Sequence, residues 1–236
     1  MSGTAQLPLD LVHRPALGRE DFLVAPSNEV AVAWIDRWPD WPAPALALYG
    51  PPGCGKSHLC QVWRGLSGAV AAEAAVLDEQ EPPEVLGAAR ACLLDGIGDR
   101  LSGRPGRERR LLHLYNLLAE RGGHLLLTGR TAPARWELSL PDLQSRLGAA
   151  PAVELSRPDD ALIEAVLVKL FADRQLQASP EVVHFLTARM ERSFEAAREM
   201  VAALDESSLA GRRGITVPLA REVLARLEGT ALTAEL

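Results

Sequence analysis

The sequence predicts an α/β protein: a five-stranded parallel sheet flanked by helices, with a small C-terminal helical subdomain after it. Three observations carry this expectation. Short apolar runs at 45–49, 69–76, 91–94, 124–128 and 152–155 alternate with segments of helical periodicity, the pattern of parallel strands covered on both faces. The first run leads into Gly50-Pro-Pro-Gly-Cys-Gly-Lys56-Ser57, a glycine-rich turn that opens a helical pattern. From Asp159 onward strand signals stop, and helical patterns fill 159–175, 180–190, 193–209 and 217–228.

Taken in order, residues 1–43 carry prolines at 8, 15, 26, 39 and 42, which leaves room for one helix at roughly 27–37 and makes the rest a tail and lead-in. Trp34, Trp38 and Trp41 precede the first strand and are expected to cover one edge of the sheet. The stretch from Arg100 to Arg110 holds five arginines, with glycine and proline marking a loop. It reads either as a solvated loop or as a contact for a phosphate backbone or acidic partner, and no aromatic interleaves to stack bases. In the third C-terminal helix Phe194, Ala197, Met200, Val201 and Leu204 form a stripe that needs a facing partner.

Composition excludes several classes. The chain has 236 residues, 47% hydrophobic and 24% charged, which suits a globular protein with a sizeable core. Acidic residues outnumber basic ones by 31 to 25, so any DNA contact is expected to be local or indirect. Cys54, Cys60 and Cys92 cannot pair completely and lack zinc-site spacing, and the five histidines lack the spacing of a metal pair. With no signal-like start and no apolar run near ~20 residues, no membrane role is expected and the location expected is cytoplasmic.

The glycine-rich turn carries the strongest chemistry. Gly50, Gly53 and Gly55 allow a tight turn whose N–H groups point inward, an anion nest at a helix N-terminus. Lys56 would reach the outer phosphates and Ser57 would ligate Mg2+. The nucleotide-binding stretch is thus Gly50, Pro51, Pro52, Gly53, Cys54, Gly55, Lys56, Ser57 and His58, with Cys54 a small filler. The alternative is a strand-to-helix turn without a ligand. The run 91–94 ends in Asp95, a candidate second metal ligand. The next residue is Gly96, where a second acid would orient the attacking water, so weak self-hydrolysis is expected. Asp99 is either a substitute for that acid or a solvated loop residue. Thr128, at the end of the fourth run, either senses the terminal phosphate or makes a local backbone bond.

With these residues in view the chain resembles the AAA+ ATPases, in the branch of the bacterial replication initiator DnaA and its short relative Hda. The resemblance covers about 20–228. It rests on the phosphate loop and Asp95, on Phe22-Leu23-Val24 with Asn28, on His124-Leu-Leu-Leu-Thr-Gly, on Leu140-Pro-Asp-Leu-Gln-Ser-Arg146-Leu, and on Ile215-Thr-Val-Pro-Leu-Ala-Arg-Glu-Val-Leu224. It implies a tail over 1–19, a nucleotide-binding AAA+ subdomain over 20–157 and a helical lid over 158–236. It further implies ADP or ATP as cofactor, with Phe22, Leu23 and Val24 at the base pocket and Arg146 as a finger acting on nucleotide held by a neighbouring subunit; the alternative for Arg146 is a salt bridge to Asp142. The lid arginine of the family aligns with Glu195, which repels phosphate, so Arg198 or Arg192 would have to replace it.

The chain stops near the end of the lid, which leaves no room for the initiator's helix-turn-helix and favours the short relative. Gln6, Leu7, Pro8, Leu9, Asp10 and Leu11 look like the hexapeptide by which such proteins bind the DNA polymerase sliding clamp. The resemblance therefore implies a regulator that docks on the clamp, meets DNA only through it and stimulates ATP hydrolysis on DnaA. The alternatives are a self-contained ATPase acting as loader or remodeller, and an adaptor in which nucleotide is structural. A homo-oligomer stays open.

Overall fold

The computed structural model of the protein describes residues 23–211 and 213–234. Strands β1 (Ala45–Tyr49), β2 (Val70–Glu73), β3 (Ala91–Asp95), β4 (His124–Gly129) and β5 (Ala152–Glu154) form a parallel sheet in the order β2-β3-β4-β1-β5. The period of two sends alternate side chains to opposite faces. Leu46, Leu48, Leu93, Leu126 and Val153 pack on one face, and Ala47, Cys92, Leu94, Leu125 and Leu127 on the other. Helices α1 (Glu29–Asp36) and α2 (Lys56–Ser67) cover the first face. The second is covered by α3 (Val76–Glu79), α4 (Pro82–Leu86), α5 (Pro105–Glu120) and α6 (Pro141–Ala149).

Three expectations are corrected. The run 69–76 is a strand only over Val70–Glu73; it lies at the sheet edge, is largely alanine with weak strand preference, and the chain turns into α3 at Val76. The tryptophans are not an edge cover: Trp41 stacks on Trp63 with centroids 5.4 Å apart, within the core of the α1–α2 face. The arginine-rich stretch is a loop only as far as Arg104, because Pro105 opens α5 with its preset backbone angle. Within that helix Arg107 is 7% exposed, grips the Asp78 carboxylate with two nitrogens and donates to the Arg100 carbonyl. Arg110 bonds Glu81 and the Leu77 and Asp78 carbonyls. Hydrogen bonding from Arg107 holds the Asp78 carboxyl below its ordinary value. These cations fasten α5 to the α3–α4 segment.

At the opposite end of the sheet from the phosphate loop, His124 packs edge-on against Trp38 and Trp41, at 6.2 and 5.4 Å. Burial lowers its pKa below 6.5, partly offset by a hydrogen bond to the Pro39 backbone. In the folded state this imidazole resists protonation more than it does unfolded. Its contribution to stability is therefore complete above about pH 6.5 and is lost as pH falls through the lowered folded value. Urea titrations at pH 7.5 and 5.5 should show the wild type losing stability on acidification and His124→Phe losing less.

Helices α7 (Asp160–Asp173), α8 (Pro180–Thr187), α9 (Phe194–Gly211) and α10 (Val217–Ala234) form the C-terminal helical part around Ile163, Leu167, Phe171, Leu186, Met200 and Leu204. Asp159 starts it, its carboxylate accepting the Leu162 N–H at 2.8 Å in an N-cap. Asp159→Ala should cost about 1 kcal/mol, which calorimetry would read as a melting point lower by about 2–4 °C. Helix α8 ends at Thr187, three residues before the predicted 190, and α10 runs beyond the predicted 228.

Candidate nucleotide site and an exposed arginine

The turn after β1 has the geometry its glycines foretell. Gly50, Gly53 and Gly55 have φ of 150°, 71° and 100°, in the range that disfavours side chains, and Gly55 immediately precedes α2. The first N–H groups of α2 lack intrahelical acceptors and mark the positive end of its dipole. Lys56 Nζ donates to the Gly50 and Pro51 carbonyls, each at 2.8 Å. Cys54 is 2% exposed, with Sγ 3.6 Å from Lys56 Nζ, and fills the inside of the turn. Burial pushes the thiols of Cys60 and Cys92 upward, the latter to about 12, so neither is a ready nucleophile. Pro52 and Ser57 are exposed.

A cavity of about 440 Å³ opens from this turn, with Gly53, Gly55, Lys56, Ser57 and His58 on one wall and Phe194, Glu195, Arg198 and Glu199 of the lid on the other. An ammonium, a guanidinium and a helix N-terminus face one space, a donor set that fits a polyphosphate. Arg198 lies 3.4 Å from His58 Nδ1. Arg192 is turned elsewhere, paired with Asp160 at 3.0 Å through Nη2, so of the two arginines flanking Glu195 only Arg198 lines the cavity. Glu195 lines it as well and adds the negative charge its position foretells.

Sheet order explains the acidic partner. Strand β4 lies between β1 and β3, which brings Thr128 beside Asp95. Thr128, 0% exposed, donates from Oγ1 to Asp95 Oδ1 at 2.5 Å and accepts the Gly96 N–H at 2.6 Å. Both bonds cross from β4 to the end of β3, 32 and 33 residues away in sequence, so neither is the local backbone bond the sequence suggested. They leave the other Asp95 oxygen without a hydrogen-bond partner among the described residues, so Asp95 and Ser57 are the groups that could share a magnesium ion. Asp99 is held by Arg130, accepting its N–H at 3.1 Å and facing its Nε at 3.6 Å.

Arg146 stands apart from all of these. It is exposed on α6, makes no ion pair among the described residues, and its guanidinium carbon lies 5.6 Å from the Tyr115 ring centroid. The salt bridge to Asp142 is not formed. Burial raises the Tyr115 phenol pKa, and the charge of Arg146 lowers it by a smaller amount.

Near the start of the described chain, buried Asn28 accepts the Ala25 N–H and donates to the Leu23 carbonyl, both at 2.9 Å, pinning that segment. Leu23 is half-buried, while Val24 is 54% exposed and faces solvent. Phe22 and the Gln6–Leu11 hexapeptide lie outside the described residues.

Sequence reasoning missed the seat of the lid on the phosphate loop. A Cβ on Gly53 would meet Ser193 Cβ at 2.4 Å, a Cβ on Gly55 would meet the Phe194 ring at 2.9 Å, and the Phe194 N–H donates to the Gly53 carbonyl at 3.0 Å. The apolar stripe beginning at Phe194 was the available signal, but its first member faces glycine backbone.

Comparison with known proteins agrees with this geometry. The family described as "Hda, lid domain" matches residues 160–224. An uncharacterized protein of Haemophilus influenzae is 28% identical over 199 residues, covering 78% of this chain and 83% of that one. Domain III of the Thermotoga maritima replication initiation protein DnaA superposes with a TM-score of 0.78 at 18% identity, covering 90% of this chain and 97% of that one. AMPPCP-bound DnaA from Aquifex aeolicus gives 0.71 at 16% identity, covering 85% and 68%. Among the described residues no helix is long and apolar enough to cross a membrane. The five-stranded parallel sheet with its glycine-rich turn thus has the fold of DnaA domain III, and the helical part that follows is similar to the Hda lid over 160–224.

Proposed function

We propose that the chain is a cytoplasmic, Hda-like regulator of replication initiation that binds ADP or ATP, docks on the sliding clamp through Gln6–Leu11 and stimulates hydrolysis of ATP held by DnaA. The observation that carries this reading is Arg146, a guanidinium on the protein surface that no acid among the described residues engages. Such a group is suited to charge developing on a phosphoryl group outside its own subunit.

The chain's own cavity supports a holding role. Lys56 and the α2 N-terminus bind phosphate, Arg198 approaches from the lid, and a magnesium ion between Ser57 and Asp95 would neutralise phosphate charge. Gly96 supplies no carboxylate to orient water, and Thr128 is spent on Asp95. Glu195 and Glu199 oppose Lys56 and Arg198 with equal formal charge, which favours the less charged ADP. In the hexapeptide Pro8 opposes helix, and an extended segment bound to the clamp would offer Leu9 and Leu11 to an apolar groove.

The test is hydrolysis of radiolabelled ATP preloaded on DnaA, in the presence of clamp loaded on DNA. The full chain should accelerate it, and replacing Leu9 and Leu11 by alanine should remove both the acceleration and capture of the chain by clamp beads. No acceleration by the wild-type chain would sink the proposal. Rapid ATP turnover by the chain alone would favour a self-contained ATPase instead.

A further inference from the structure

We infer that α5 is the support that aims Arg146, holding it from two sides through Tyr115 beneath the guanidinium and Glu108 at the start of α6. The inference rests on the proposed role of Arg146 and adds two positioning residues to it. An exposed arginine samples many rotamers, and a group that must meet a transferring phosphoryl loses rate for the time it spends elsewhere. Among the described residues no carboxylate restrains Arg146; what it has is the face of an aromatic ring, with the guanidinium carbon 5.6 Å from the Tyr115 centroid, inside the range of cation–π attraction. Tyr115 is 6% exposed and packed in the core beside Leu111, Leu118 and Leu143, so the ring is a fixed shelf.

The helix bearing Arg146 is fixed by the same support. Glu108 precedes Tyr115 by seven residues, about two turns, and so lies on a similar face of α5. It is 1% exposed, and its Oε2 accepts the Ser139 N–H, the Ser139 hydroxyl and the Leu140 N–H, each at 2.9 Å. These donors lie at the entry to α6, where Pro141 brings no N–H of its own, and a carboxylate there also meets the positive end of the helix dipole. A buried carboxylate thus seats the start of α6, and a buried ring seats the side chain near its end. Neither Glu108 nor Tyr115 contacts nucleotide in this arrangement; both act through Arg146.

The experiment titrates the full-length chain into ATP-loaded DnaA with DNA-loaded clamp and separates maximal hydrolysis rate from half-maximal concentration. Tyr115→Leu should lower the maximal rate about two- to fivefold at unchanged half-maximal concentration, and Tyr115→Phe, which keeps the ring, should match wild type. Glu108→Gln, which keeps an acceptor oxygen, should lose less than Glu108→Ala. A readout free of activity is phenylglyoxal labelling of Arg146 followed by peptide mass spectrometry: about two- to fivefold faster in Tyr115→Leu and unchanged in Tyr115→Phe. If Tyr115→Leu changes neither rate nor labelling, or if Phe falls as far as Leu, the inference is overturned while the role of Arg146 stands. If Arg146→Ala itself leaves stimulation intact, that role falls and the inference falls with it.

Discussion

Arg146→Ala should reduce the stimulated hydrolysis of DnaA-bound ATP by about 10³- to 10⁵-fold, the range over which a guanidinium supplied from a neighbouring subunit acts on phosphoryl transfer. The chain itself should be almost undisturbed. Arg146 is exposed and rests on the Tyr115 ring, so the folding free energy should change by no more than about 0.5 kcal/mol. Clamp capture and ADP affinity should likewise be unchanged, because the hexapeptide and the phosphate loop are separate groups. Arg146→Lys should recover little: an ammonium is a point charge and does not reproduce the planar fork. Single-turnover hydrolysis gives the rate, and a decline of less than about tenfold for the alanine variant would remove Arg146 from the mechanism.

Lys56→Ala should weaken ADP binding by about 10²-fold, read by titration calorimetry. A charge-assisted hydrogen bond contributes about 1.5–3 kcal/mol, and each 1.4 kcal/mol is a factor of ten. The lysine also braces the loop, since Nζ holds the Gly50 and Pro51 carbonyls, so part of the loss should come from a loosened turn. Lys56→Met, which keeps the apolar stem but not the donor, separates packing from charge. If it binds ADP as wild type does, the ammonium is not the phosphate contact. The variant also bears on the regulator reading: stimulation of DnaA that persists at full strength without bound nucleotide would make the nucleotide dispensable for presenting Arg146.

Features that depend on neighbours in the chain were legible beforehand. The phosphate loop is a contiguous string because a tight turn, an anion nest and a lysine must occur within one strand-to-helix corner, and the five runs show because both sheet faces need apolar residues. Asp95 was readable as an acid ending such a run. Features made by residues far apart were not. Arg107 reads as a surface cation until folding brings Asp78, 29 residues away, against it. Thr128 gave no sign of Asp95 as its partner until the strand order set β4 between β1 and β3. The ring under Arg146 and the carboxylate ahead of α6 both come from α5, whose stripe of leucines announces a core helix and conceals two polar tasks.

The tie between Phe194 and Gly53 runs from main chain to main chain. Swapping one side chain for another leaves its donor and acceptor in place; at position 194 proline would delete the donor. Because the acceptor belongs to the very turn proposed to hold phosphate, a shift in that turn's shape pulls directly on the first residue of an eighteen-residue rod. The cap is thereby geared to the floor beneath it rather than merely resting there.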